Sequence, residues 1–147
     1  MLARSARLPL NGDYSYELKW DGFRAIVSTE GSLRVRSRRG WDMTPHVAFL
    51  AVLSIGGEVM TSQPHRERRL ALEELRLEGP QWRTPETFDD GEALWQAVCE
   101  QELEGVVAKT RSGRYTSGER GWIKTKNRDY WRWEMEREGA LKLRRER

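Results

Sequence analysis

The chain has 147 residues, 33% of them charged, with a formal net charge of +3, a pI near 9.2 and a mean hydropathy of −0.81. That length suits one domain or slightly more, and no apolar run reaches the roughly 20 residues of a membrane span. Residues 1–10 carry Arg4 and Arg7 without the apolar centre of a secretory signal, and the single cysteine, Cys99, excludes an internal disulfide and fits a reducing, cytoplasmic setting.

Tyr14, Tyr16, Leu18 and Trp20 alternate with Ser15, Glu17 and Lys19, the period of a half-buried strand with Glu17 and Lys19 on its polar face. Asp21-Gly22 breaks it. Arg24 to Ser28 continues extended, Thr29-Glu30-Gly31 reads as a hairpin turn, and residues 33–36 form the return strand up to Gly40. Pro45 to Leu53 predicts a short helix, leading into a strand over 55–60. Arg66 to Leu77 predicts a helix whose apolar side is Leu70, Ala71, Leu72 and Leu75, stopped by Gly79-Pro80. Arg83 to Phe88 reads as a short strand. Asp89 with Glu92 reads as a capping box for a helix reaching about Glu102, with Cys99 on its packed side. Gly105 to Thr110 is a short apolar strand, and Arg111 to Arg120 a Gly/Ser-rich loop. Strands follow at 121–127 and at 130–136, where Trp131, Trp133 and Met135 alternate with charges. Residues 138–147 form a charged tail. The expected class is α+β with mostly antiparallel strands.

Two basic clusters stand out, Arg34/Arg36/Arg38/Arg39 and Lys124/Lys126/Arg128. Either alone reads as a solvated strand face. The seven tryptophans read mainly as packing residues, with base stacking open to some of them. The net charge permits a polyanionic partner without demanding one.

The chemistry-bearing stretch is Glu17-Leu18-Lys19-Trp20-Asp21-Gly22-Phe23-Arg24, joined by Trp122-Ile123-Lys124-Thr125-Lys126. A lysine amine, with an ordinary pKa of about 10.4, becomes a nucleophile when neighbouring cations and burial favour its neutral form. Arg24, Lys124 and Lys126 are expected to do this for Lys19 and to neutralise phosphate charge. A lysine so placed predicts nucleotidyl transfer through a covalent lysine–nucleotide intermediate. Attack on an α-phosphate relies on positioning and charge neutralisation. A divalent ion would take hard oxygen ligands, for which Glu104, Glu58 and Asp21 are the candidates.

The ordered set resembles the covalent nucleotidyltransferases, the superfamily of ATP-dependent DNA ligases, RNA ligases and mRNA capping enzymes. Glu17-x-Lys19-x-Asp21-Gly22-x-Arg24 looks like the first motif. Ser37-Arg38-Arg39-Gly40 resembles the next, Gly57-Glu58 the third, Glu104 to Lys109 the fourth, and Trp122 to Lys126 the fifth. The loop Tyr115-x-x-Gly118-x-Arg120 is similar to the bacterial ATP-dependent DNA ligases, including the small end-joining type. The resemblance runs from about Leu2 to Arg132. It implies a shortened adenylation domain over 1–137, ATP-grasp-like, with two antiparallel sheets flanked by helices and the nucleotide between them.

It also implies roles. Lys19 would carry AMP as a phosphoramide, and Glu17 would recognise adenine or fix the pocket. Arg24, Arg39, Glu58, Arg120, Lys124 and Lys126 would bind ATP, the last two at the α-phosphate. Arg38 and Lys109 would contact DNA. Glu104, with Glu58, would hold Mg²⁺ or Mn²⁺. AMP would pass to a DNA 5′-phosphate and a 3′-hydroxyl would displace it, sealing nicked or broken duplex DNA in repair and recombination, at the bacterial nucleoid.

Three departures accompany the resemblance. The third motif usually reads Asp-Gly-Glu and here is Gly56-Gly57-Glu58. The segment between Met60 and Arg66 is shorter than in the family, and no residue matches the aromatic that stacks on adenine. Nothing after Arg132 resembles the OB-fold domain that usually follows, so a separate OB-fold or end-binding protein is the expected partner. Two alternatives remain open: RNA ligation or capping chemistry, and a ligase-derived module that binds nucleic acid without catalysis.

Overall fold

A computed structural model of the protein describes residues 2–20, 25–28, 34–37, 48–49, 53–76 and 82–135. The expected turn at 29–31, the stop at Gly79-Pro80 and the tail at 138–147 lie outside the described residues. The chain divides into two compact units. One comprises Met1–Trp20, Thr87–Thr110 and Ser117–Arg147, and the other Asp21–Glu86 with Arg111–Thr116.

The first unit is a four-stranded sheet with one helix. Its strands are β1 (Ala3–Ser5), β2 (Tyr14–Leu18), β9 (Gly105–Thr110) and β10 (Trp122–Lys126), in the spatial order β1-β10-β9-β2. Strands β3 to β8 fall between β2 and β9 along the chain and belong to the second unit. β9 runs antiparallel to both neighbours, with Tyr16 opposite Ala108 and Ile123 opposite Ala108. β1 is parallel to β10, and the Thr125 hydroxyl donates to the Ala6 carbonyl at 2.9 Å just beyond it.

The two-residue period of a strand sorts these side chains onto opposite faces. Tyr16, Val106, Ala108 and Ile123 meet Leu94 and Val98 of helix α2 (Gly91–Glu100) and Leu8, and this is the core. Val98, Val106 and Ala108 are wholly buried, and each valine so buried contributes about 1.5–3 kcal/mol. The opposite face carries Glu17, Lys109, Lys124 and Lys126. One β-alternation therefore separates what holds the unit together from what is available for chemistry.

Helix α2 begins against the core. A Cβ at Gly91 would stand 2.5 Å from Cζ of Tyr16, so only glycine lets the helix approach that ring. The capping residue is Asp90, one position later than expected. Its carboxylate accepts from the N–H groups of Glu92 and Ala93 at 3.0 and 2.9 Å. Asp90→Ala is expected to lower stability by about 1 kcal/mol and to leave the opposite sheet face intact. A urea midpoint measured beside nucleotide binding checks this.

The second unit contains three two-stranded ladders and helix α1 (His65–Glu74). β3 (Ala25–Ser28) and β4 (Arg34–Ser37) pair antiparallel, with Val35 buried between exposed Arg34 and Arg36. β5 (Ala48–Phe49) pairs in parallel with β8 (Trp82–Arg83), so residues 48–49 are strand rather than helix. The strand expected at 55–60 is a hairpin, β6 (Ser54–Ile55) and β7 (Glu58–Val59). Gly56 and Gly57 form its turn at φ of +56° and +85°, values that suit a two-residue hairpin turn of the primed type.

Helix α1 ends at Glu74, before the expected Leu77, and buries His65, Arg68 and Leu72. Leu70 and Leu75 are exposed instead. The Arg68 guanidinium lies 5.7 Å from the ring centroid of Tyr115, and its Nε donates to the Gln63 carbonyl. Burial lowers the Arg68 pKa, and Tyr115 opposes that shift. Backbone bonds from Arg66 to Arg111 and from Tyr115 to Thr61 tie the 111–116 loop to the start of this helix.

Residues 84–87 are not strand, although Phe88 makes a single antiparallel bridge to Tyr16. Residues 130–136 are also not a strand: the described part runs through turns into a helical turn at 133–135. Trp131 and Met135, four residues apart, are both exposed. The fold class stands as α+β with mixed sheets. Among the described residues, the two extended antiparallel sheets of the expectation reduce to one four-stranded sheet and three short ladders.

Candidate functional site

Three strand ends meet at one end of the first unit's sheet. β2 finishes at Leu18, β9 starts at Gly105 and β10 finishes at Lys126. Because β9 is antiparallel to both partners, Lys19, Glu104 and Lys126 are delivered to the same end. The Lys19 N–H donates to the Gly105 carbonyl at 2.8 Å and the Asn127 N–H to the Glu104 carbonyl at 2.9 Å. Lys126 stands opposite Gly105 in register. Gly105 has φ +152°, and a Cβ there would run into the Thr125 carbonyl oxygen. Glycine is what allows β9 to pass so close to β10 at the site.

The Glu104 carboxylate is the hub. Its Oε1 is ion-paired with Lys19 Nζ, and Lys126 Nζ lies 3.6 Å from the same oxygen. The side chain of Glu104 is 4% exposed, against 16% for Lys19 and 25% for Lys126. Two ammonium groups thus face one buried acid from the solvent side. Glu104 Oε2 is buried and has no hydrogen-bond partner. A buried carboxylate oxygen left unpaired costs free energy, and an incoming cation at that oxygen would offset it. Magnesium and manganese fit this oxygen, being hard cations that prefer oxygen ligands. Among the described residues no group of three or more His, Cys, Asp or Glu could enclose such an ion.

A second pair lies on the same face. Lys109 Nζ donates to Glu17 Oε2 at 2.6 Å, with both side chains more than nine-tenths buried. The Lys109 ammonium also sits 4.5 Å from the ring centroid of Trp122. Lys109, expected to contact DNA, lies on this face with its ammonium paired to Glu17 and beside the Trp122 ring. The Glu17–Lys109 partnership spans 92 residues and has no local sequence signal. It could have been found from strand parity: with Val106 and Ala108 on the core side, Lys109 shares the face of Glu17 once β2 and β9 are paired.

The other expected residues fall as follows. Lys124 lies on β10, opposite Val107 and half-buried, two residues from Lys126 and on its face. Arg120 is exposed in the loop before β10. Arg24, Arg38, Arg39 and Asp21 lie outside the described residues. Glu58 is exposed on β7 of the second unit, beside a hollow of about 620 Å³ that Ile55, Met60 and Glu67 also line. Among the described residues, no helix is long and apolar enough to cross a membrane.

A DNA ligase from Aeropyrum pernix is 42% identical over 95 residues, a match covering 58% of this chain and 16% of that protein. The multifunctional non-homologous end joining protein LigD of Mycobacterium bovis is 26% identical, over 78% of this chain and 22% of that protein. The chain thus spans less than a quarter of the length of these relatives. Among solved structures, the ligase domain of LigD from M. tuberculosis has the same fold. It aligns with a TM-score of 0.63 at 22% identity, over 85% of this chain and 59% of that one. A mycobacterial DNA ligase D complexed with ATP aligns at 0.64 and 22% identity, over 86% and 60%. The family model of the ATP dependent DNA ligase domain matches residues 43–126, more than half of the chain, and the protein accordingly belongs to the ATP-dependent DNA ligase domain family.

Proposed function

We propose that the protein forms a covalent lysine–AMP intermediate at Lys19 and passes the AMP to the 5′-phosphate of nicked or broken duplex DNA. The observation that carries this reading is the convergence of Lys19 and Lys126 on the buried Glu104 carboxylate. In the first step Lys19 Nζ, having given up a proton to water, attacks the α-phosphorus of ATP. An N–P bond forms, the bond to the bridging oxygen breaks, and pyrophosphate leaves. Lys126 and Lys124 neutralise the α-phosphate oxygens as charge shifts during attack. Glu104, once phosphates draw off its ammonium partners, would hold a divalent ion through Oε2. That ion, when bound, supplies charge neutralisation at the phosphates. Glu17, fixed two residues from the nucleophile, recognises the base. In the second step the DNA 5′-phosphate oxygen displaces Lys19, and a 3′-hydroxyl then displaces AMP and joins the strand.

DNA is favoured as acceptor because the relatives that resemble this chain are described as DNA ligases and end-joining proteins. A separate protein that clamps the DNA, of OB-fold or end-binding type, fits the same reading. The test is transfer of label from α-labelled ATP, first to protein and then to a nicked duplex. Glu104→Gln keeps size and polarity but gives up the charge that pairs with Lys19 and with a metal ion. It is expected to slow divalent-dependent labelling by at least about 10²-fold. Labelling of the Glu104→Gln variant at the native rate would contradict the role given to this carboxylate. Labelled protein that passes AMP to nicked RNA and not to nicked DNA would overturn the choice of acceptor.

A further inference from the structure

We infer that Lys109 is a positioning residue for nucleotide selection, holding the Glu17 carboxylate against the sheet so that it meets the base of the bound nucleotide. This rests on the reading of the sheet end that carries Lys19 as the place where ATP binds. The observations are geometric. Lys109 and Glu17 are paired at 2.6 Å, on β9 and β2, with side chains only 8% and 9% exposed. In register Lys109 stands opposite Ser15, so its side chain reaches diagonally along β2 towards Glu17 and the end that carries Lys19. The Trp122 ring of β10 covers the ammonium at 4.5 Å. Three strands are therefore used to fix one carboxylate.

Stability alone is a poor explanation of that arrangement. Burying two opposite charges costs desolvation that their attraction barely repays, and apolar side chains of similar volume commonly do as well. What a buried ion pair does supply is a fixed orientation. Glu17 lies two residues from Lys19 on the same strand face, about 7 Å along the chain. An ionised carboxylate only accepts hydrogen bonds and has about four acceptor sites. A group so held selects a base edge that donates, as the amino group of adenine does, over one that presents a carbonyl, as guanine does at the equivalent position. Lys109 acts through Glu17 and touches no reacting atom.

The test uses the full chain and equilibrium binding of ATP and GTP, with covalent AMP attachment followed in parallel. Lys109→Met keeps the apolar stem under Trp122 and removes the charge. It is expected to weaken ATP binding by about 10- to 100-fold and GTP binding much less, so that the ATP-to-GTP preference shrinks. Lys109→Arg is expected to restore part of that preference. In a Glu17→Gln background, Lys109→Met is expected to change little further, because coupled residues are not additive. If Lys109→Met does not fold, Lys109→Gln, which keeps a donor to Glu17, is expected to shift the preference in the same direction by a smaller factor. Equal losses for ATP and GTP would overturn the inference. So would an undiminished effect without Glu17, or lost DNA affinity with the nucleotide preference intact. A native chain that binds neither nucleotide overturns it too. Lys109-dependent preference without any AMP attachment would leave this inference standing and remove the reading of Lys19. AMP attachment with a preference indifferent to Lys109 would do the reverse.

Discussion

Lys19→Ala is expected to abolish AMP attachment, by at least about 10³-fold, in a chain that still folds. Among the described residues, Lys19 is the amine paired most closely with Glu104, since Lys126 stands farther off at 3.6 Å. The same substitution also removes a partner from a buried acid. Breaking a fully buried pair costs about 3–5 kcal/mol. Here the cost is expected to be less, about 1–3 kcal/mol, because Lys19 is partly exposed and Lys126 still faces the carboxylate. Lys19→Arg separates chemistry from charge. A guanidinium keeps the pairing but is not a nucleophile at neutral pH. It should hold Tm near that of the native chain and yield no adduct. An adduct that survives in Lys19→Arg would remove Lys19 from the chemistry.

Gly105→Ala is expected to be among the most damaging small substitutions in the first unit. The residue has φ +152°, and its added methyl would meet the Thr125 carbonyl oxygen and stand 3.0 Å from the Lys126 Cα, both fixed backbone atoms. Relief requires β10 to move away from β9 or the backbone to leave its present conformation. Either is expected to cost about 2–4 kcal/mol, read as a fall in Tm on the order of 5–15 °C. Function should suffer beyond stability. Gly105 accepts the Lys19 N–H and stands in register with Lys126, so a shift of about 1 Å separates both lysines from Glu104 and costs roughly 10²-fold in rate. A variant with native Tm and native labelling would show that the close approach of β9 and β10 is not what assembles the site.

Much of this architecture was legible in the sequence where the signal is local. The polar–apolar alternation through Tyr14–Leu18, the Val35 strand between two arginines and the short apolar run Gly105–Thr110 each mark a strand by their own residues. Helix α2 is announced by its acidic cap, although Asp89 and Asp90 compete for the position and only the second accepts the amide hydrogens. What escaped depends on partners distant in sequence. β1 is three residues long and gains its identity from β10, more than a hundred residues away. Residues 48–49 are drawn into strand by Trp82–Arg83. The Trp131–Trp133–Met135 alternation looks like a strand but finds no ladder among the described residues, and the chain takes a helical turn instead.

The site divides in the same way. Lys19, Glu104 and Lys126 were named by motif order, and the antiparallel setting of β9 explains why three separate motifs share one end of a sheet. Alternation places Glu17 on the polar face of a half-buried strand, and the structure buries it together with Ser15 and Tyr16. A polar residue on the face opposite the core is exposed only if nothing covers it, and here the Trp122 ring and the pairing itself do so. The third motif's missing carboxylate has a local explanation in the Gly56-Gly57 turn, where both residues take positive φ.

The most direct test of the central claim is the intact mass of the folded chain after incubation with ATP and a divalent ion, followed by peptide mapping. The account predicts a single added AMP, lost on Lys19→Ala and mapped to the peptide that carries Lys19. A demonstrably folded chain that gains no AMP with magnesium or manganese and ample ATP, or gains it on another residue, would contradict it.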